Sequence, residues 1–203
     1  MRTVILASVG WVAVAIGFVG GWAQFRRVKS RGNEGVSLAT WILFFLIGGY
    51  WITYGLVRAH SWIIVLGSLV VWPLQVYVIA RLEPWRHGRT VLGALGFLTL
   101  LCVLPGLVGG WSASLVGCGV AMALLRLPQI VHLVRSVEVD GVSIASWVLG
   151  ASNSVLWIGY YLVTHRASAL IATSLALLGN VTVAGLTLWR RRSEWTPAYV
   201  LSD

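Results

Sequence analysis

Seven long apolar runs separated by short polar or basic connections set the pattern of this chain. They cover roughly residues 3–24, 37–57, 62–79, 91–108, 112–134, 142–163 and 167–189. A helix needs about 20 mostly apolar residues to cross the hydrocarbon of a bilayer. The runs are too long for barrel strands and lack period-two alternation. The pattern therefore predicts an all-α integral membrane protein with seven transmembrane helices. The first run begins almost at residue 1, is too long for a signal-peptide core and shows no convincing cleavage site, so it reads as a retained helix.

Composition agrees, with 58% apolar and 10% charged residues. Soluble domains carry about 25% charge, so this chain cannot clothe a water-facing surface. A net charge of +9 raises the question of nucleic acid, but the cations fall in short clusters between the runs and form no stripe. That is how membrane topology is written. One set of connections holds eleven cations: Arg26, Arg27, Lys29, Arg31, Arg81, Arg86, Arg89, Arg135, Arg190, Arg191 and Arg192. The opposite set holds three, Arg2, Arg58 and Arg166. The expectation is an amino terminus outside and a cytoplasmic carboxyl tail. Cys102 and Cys118 lie in apolar runs and are not spaced as metal ligands; small buried side chains are the simplest reading.

Residues 35–41 read Gly-Val-Ser-Leu-Ala-Thr-Trp and residues 141–147 read Gly-Val-Ser-Ile-Ala-Ser-Trp. Residues 35–57 and 141–163 share 11 identities in 23 ungapped positions, among them Trp41 with Trp147, Trp51 with Trp157 and Tyr54 with Tyr160. The copies begin four spans apart, so both have the same orientation, and one extra crossing must join them. This predicts two parallel three-helix bundles and a linker helix (3+1+3): residues 1–81, linker 82–110, residues 111–192, and a cytoplasmic tail 193–203. Parallel repeats of this kind are related by an axis along the membrane normal, with the site between them.

Pro128-Gln129, Arg135-Ser136, Gly141-Val142-Ser143 and Trp147 together resemble the PQ-loop signature. Trp157 with Tyr160 is similar to the Trp-x-x-Tyr segment of the SWEET sugar transporters of the same superfamily. The first repeat carries a weaker copy in Ala23-Gln24, Lys29-Ser30, Gly35-Val36-Ser37, Trp41, Trp51 and Tyr54. The resemblance covers essentially the whole chain. It implies the same fold, but the superfamily also holds amino-acid exporters and cargo receptors, so substrate does not follow from it.

Ser146, Gly150, Asn153 and Trp157 share one face of the sixth predicted helix. An aromatic plate beside an amide suits a sugar, which has apolar C–H faces and a rim of hydroxyls; a packing amide and a core tryptophan are the plainer alternative. Trp51 matches Trp157 on the second helix, whereas Ile47 replaces Asn153. Gln75 and Asn180 occupy equivalent places on the third and seventh helices once the offset slips by one, as His60 and His165 indicate. The resemblance implies a substrate-contacting asparagine on each of these helices; Gln75 departs from it by one methylene. Pro128, Gln129 and Gln24 are candidate hinge and gate residues, since Pro128 removes a backbone bond in the fifth helix. Pro73 is expected to kink the third. Arg126 stands well inside the fifth run, where a cation costs about 2.5–3.5 kcal/mol on insertion scales. Snorkelling to headgroups or gating is favoured over direct substrate contact.

All six acids, Glu34, Glu83, Glu138, Asp140, Glu194 and Asp203, fall in loops or at the ends. Proton-driven carriers usually hold an ionisable group within the membrane. Gly150 stands where the resemblance implies an aspartate in cystine exporters, so downhill transport is expected. No catalytic motif, metal site or cofactor motif appears. The leading expectation is a sugar uniporter in a bacterial cytoplasmic membrane, with lipid and a small solute as partners and a homo-oligomer allowed. The alternatives are a carrier for an amino acid or other metabolite, and a non-transporting receptor or assembly factor.

Overall fold

The computed structural model describes residues 2–136, 138–163 and 167–192. His165, Arg166 and the tail 193–203 lie outside them, as does the side chain of Tyr160. The described residues are almost entirely helical and contain no strand. The helices are α1 (Arg2–Arg31), α2 (Leu38–Tyr54), α3 (Trp62–Leu69), α4 (Trp72–Arg81), α5 (Gly88–Leu98), α6 (Leu104–Leu124), α7 (Leu127–Arg135), α8 (Ile144–Val163) and α9 (Ala167–Arg192). Among the described residues, four stretches are long and apolar enough to cross a membrane: Ser8–Arg31, Leu38–Ala59, Trp62–Arg81 and Gly88–Arg135. Leu107 and Val108 are 78% and 92% exposed, which water would penalise and lipid would not. The chain is built to be embedded in a membrane.

Local chemistry explains where the helices break. Proline lacks an N–H and clashes with the carbonyl four residues earlier. Pro73 separates α3 from α4 at Val70-Val71, and Pro128 separates α6 from α7 at Leu125-Arg126. The Gly88–Arg135 stretch of 48 residues would extend about 72 Å if straight, far beyond a hydrocarbon core of about 30 Å. It folds back at Gly110, whose backbone (φ 66°, ψ −162°) is open only to glycine. A Cβ on Gly117 would lie 1.5 Å from the Leu101 carbonyl oxygen, so the two limbs touch backbone to backbone.

In packing, α8 runs along both α9 and α1, while α6 and α7 lie on α9. Helix α2 contacts α3, α4, α5 and α7, and α1 rests on α3 and α4. The first and last helical groups therefore meet through α1 against α8 and through α7 against α2. One core cluster sits where these contacts converge near the Gly-Val-Ser loops. It contains Val28, Val36, Trp41 and Val78, and also Leu133, Val142, Trp147 and Val183, which are their repeat equivalents. A second cluster joins Ile42, Leu43 and Ile47 of α2 to Ala94, Cys102, Cys118 and Leu125. Both cysteines are free and buried.

Candidate functional site

Two glutamines bind the repeats to each other at the loop end. Gln24 of α1 donates through Nε2 to the Gly141 carbonyl (2.8 Å), and its Oε1 accepts from the Ser143 N–H (2.8 Å). Gln129 of α7 donates to the Gly35 carbonyl (2.6 Å) and accepts from the Ser37 N–H (2.8 Å). Each side chain thus satisfies one carbonyl and one N–H in the opposite repeat's loop, and both glutamines are fully buried. Ser37 and Ser143 then cap the following helices, accepting from the Thr40 N–H (3.4 Å) and the Ser146 N–H (3.2 Å). The loops are pressed together tightly enough that only glycine fits. A Cβ on Gly35 (φ 75°) would lie 2.7 Å from Val139 Cα, and one on Gly141 would lie 2.6 Å from the Asn33 carbonyl carbon.

Charged groups trim this latch. Asp140 pairs with Arg27 (3.6 Å) and Arg191 (3.8 Å). Arg191 also donates to the Val142 carbonyl, and Arg190 to the carbonyls of Leu133 and Ser136 (2.6 Å for the latter), at the end of α7. Burial, then the nearby charge of Arg27, lowers the Arg191 pKa below its ordinary value, while Asp140 acts in the opposite sense. In the sequence Arg190 and Arg191 stand out only as topology signals; their bonds depend on α9 ending beside α7.

Deeper in the bundle, Arg126 does not snorkel. It occupies the break before α7, is 6% exposed, and donates through Nε to Asn180 Oδ1 (2.7 Å) and through Nη1 to the Met122 carbonyl. Its guanidinium carbon lies 5.6 Å from the Phe44 ring centroid, across the repeat boundary. Asn180 passes the chain on, donating to Ser154 Oγ (3.3 Å), which donates to the Gly150 carbonyl (3.0 Å). The headgroup reading of Arg126 fails because its donors find acceptors inside the protein. Asn180, expected as a substrate amide, is the acceptor that holds this cation.

The other predicted site residues are dispersed. Gln75 is buried on α4 with Oε1 unpartnered, 3.8 Å from where a Gly48 Cβ would stand. Gly48 is the repeat equivalent of Ser154, so Gln75 and Asn180 do occupy matching places. Asn153 is half-buried with Oδ1 unpartnered and faces Gly17 of α1. The carbonyl of Ser146 lies beside Gly20 of α1, while Gly150 abuts Asn180 of α9. The shared face of α8 is therefore divided between two neighbours. Trp51 is half-buried at the far end of α2, edge-on to Tyr50 and Tyr54 (5.7 Å each), with Trp111 behind them. Trp157 is also half-buried. A cleft of about 290 Å³ opens between α2, α5 and the α6–α7 break. Its lining is apolar, Leu43, Ala94 and Phe97 among it, and Pro128 is the one predicted site residue it touches.

Ser154 and Gly179 were not singled out from sequence. A signal existed: Gly21 and Leu74 in the first repeat stand where Arg126 and Gly179 stand in the second. The large and small partners have changed places. Among the described residues no group of His, Cys, Asp or Glu is arranged to hold a metal. Comparison with family models, curated proteins and solved structures finds no match to this chain.

Proposed function

We propose that this protein is a PQ-loop/SWEET-like carrier that moves a small polar solute downhill by alternating access. In this reading the Gly110 reversal divides the fourth and fifth of seven spans. The spans form two parallel bundles and a linker, with the amino terminus outside and the basic loops in the bacterial cytoplasm. The reciprocal hydrogen bonds of Gln24 and Gln129 are the observation that carries it. They close one end of the repeat interface with bonds that exchange for water when the repeats part, which is what a reversible gate needs.

A mono- or disaccharide is the leading solute, on the strength of the Trp51 and Trp157 pair and the sequence resemblance. A carrier for an amino acid or other small metabolite is the second reading, and a specific observation favours it: Arg126 points inward rather than to the surface. Proteoliposome uptake of labelled sugars and amino acids tests both. Saturable uptake that stops when the loops are crosslinked supports a carrier; a sealed vesicle that takes up neither class rejects it.

A further inference from the structure

We infer that Arg126 is an anion-recognition group and that the solute carries a carboxylate; this rests on the carrier reading above. The interior is nearly free of acid. Among the described residues Arg126 has no ion-pair partner, the ion pairs present being those of Asp140 and Glu83 in the loops. Amide and carbonyl oxygens satisfy the donors of a buried cation without neutralising its charge, and an ionisable group inside a membrane protein commonly marks a ligand path. Here Nε is taken by Asn180 and one Nη1 hydrogen by Met122. Guanidinium has five N–H donors in a planar fork, so three of them, one on Nη1 and both on Nη2, are left without an acceptor among the described residues, and a carboxylate is the group that would both accept from them and neutralise the charge.

The surroundings have been cleared for this group in one repeat alone. A Cβ on Gly179 would lie 2.5 Å from Arg126 Cδ, and one on Gly150 would lie 3.2 Å from Asn180 Nδ2. At the matching place in the first repeat, a Cβ on Gly21 would meet Leu74 instead (3.3 Å). The cation therefore stands off the repeat symmetry, in the second bundle, and Phe44 reaches it from the first. A ligand held there touches both halves, and parting them exposes it. One end of the solute is an anion on Arg126 and Asn180; the remainder faces the aromatic first repeat. A sugar acid and an amino acid share this chemistry.

The test uses the full-length protein in proteoliposomes with D-glucuronate, L-alanine and neutral D-glucose as probes, alongside thermal shift in detergent. The expected result is uptake of one carboxylate probe, D-glucuronate marking a sugar acid and L-alanine an amino acid. Arg126→Gln should weaken apparent affinity for that probe about 10- to 100-fold, the loss of a charge-assisted pair. Arg126→Lys, which keeps charge but not the fork, guards against a folding failure and should retain an intermediate affinity. Glucose uptake equal in wild type and Arg126→Gln, with neither carboxylate carried, overturns the anion site and leaves the carrier reading standing. Carboxylate-induced stabilisation that requires Arg126, with no flux of any probe, overturns the carrier reading and keeps the site. Neither flux nor stabilisation overturns both.

Discussion

The two repeats agree at their loops and disagree in their interiors. At the loop end, Gln24 and Gln129 make the same pair of hydrogen bonds to the same two backbone positions of the opposite repeat. Trp41 and Trp147 are both buried there, on either side of Phe44 (5.7 and 5.9 Å). Half-way along, Gly21 and Leu74 stand in the first repeat where Arg126 and Gly179 stand in the second, and Phe44 stands where Gly150 does, so the cation and the space made for it have no counterpart. In the carrier reading, the difference teaches how two repeats can divide their tasks. A seal between two like surfaces is self-complementary and can be symmetric, since each half satisfies the other's backbone groups. Recognition of a solute with unlike ends needs unlike walls.

The largest effect should come from breaking the seal's shared geometry. Gly35→Ala meets both a left-handed backbone and the Val139 backbone, whereas Gly141→Ala meets the Asn33-Glu34 backbone without a left-handed φ of its own. Thermal unfolding in detergent should show Gly35→Ala as the worse of two damaging changes, by about 1–2 kcal/mol, the cost of left-handed φ for a residue with Cβ. Equal tolerance of both would mean the loops separate freely. Next, Gln24→Ala and Gln129→Ala should each lose about 2–4 kcal/mol, because each strands a buried N–H and a buried carbonyl. Losses differing by much more than that spread would break the equivalence of the two latches.

The interior offers a contrasting measurement. Asn180→Ala removes the acceptor of Arg126 Nε and should cost about 1–3 kcal/mol. Arg126→Met removes the buried charge altogether and should leave the melting temperature unchanged or raised, while abolishing carboxylate-induced stabilisation. A large loss of stability in Arg126→Met would show that the cation is a structural strut. The smallest effect belongs to Asp140→Asn at the rim. Asp140 is 58% exposed, so its two pairs are worth below about 1 kcal/mol. That small difference should vanish in 1 M salt.

Hydrophobic run length, the breaks at Pro73 and Pro128 and the Gly-Val-Ser duplication were all legible without coordinates, because each follows from local chemistry or direct comparison. Gln24 and Gln129 were legible as candidate gate residues, but the bonds they make were not. Their partners are backbone groups about a hundred residues away, and backbone groups leave no mark in a sequence. Arg126 was legible as an anomaly, but the choice between headgroups and the interior was not. Whether a long cation reaches water or folds inward depends on which acceptors its neighbours present, and Asn180 and the Met122 carbonyl arrive only when α9 packs on α6.

The linear order of residues by itself determined that this chain is helical, built for lipid and internally duplicated, since the helix period, the energy of apolar transfer and the repeat act over short distances or by simple count. Tertiary packing alone decided that the glutamines lock opposite loops, that Arg126 turns into the bundle and that the α8 face is split between α1 and α9. Those outcomes depend on the direction in which one helix presents its polar atoms to another, a quantity set by three-dimensional approach.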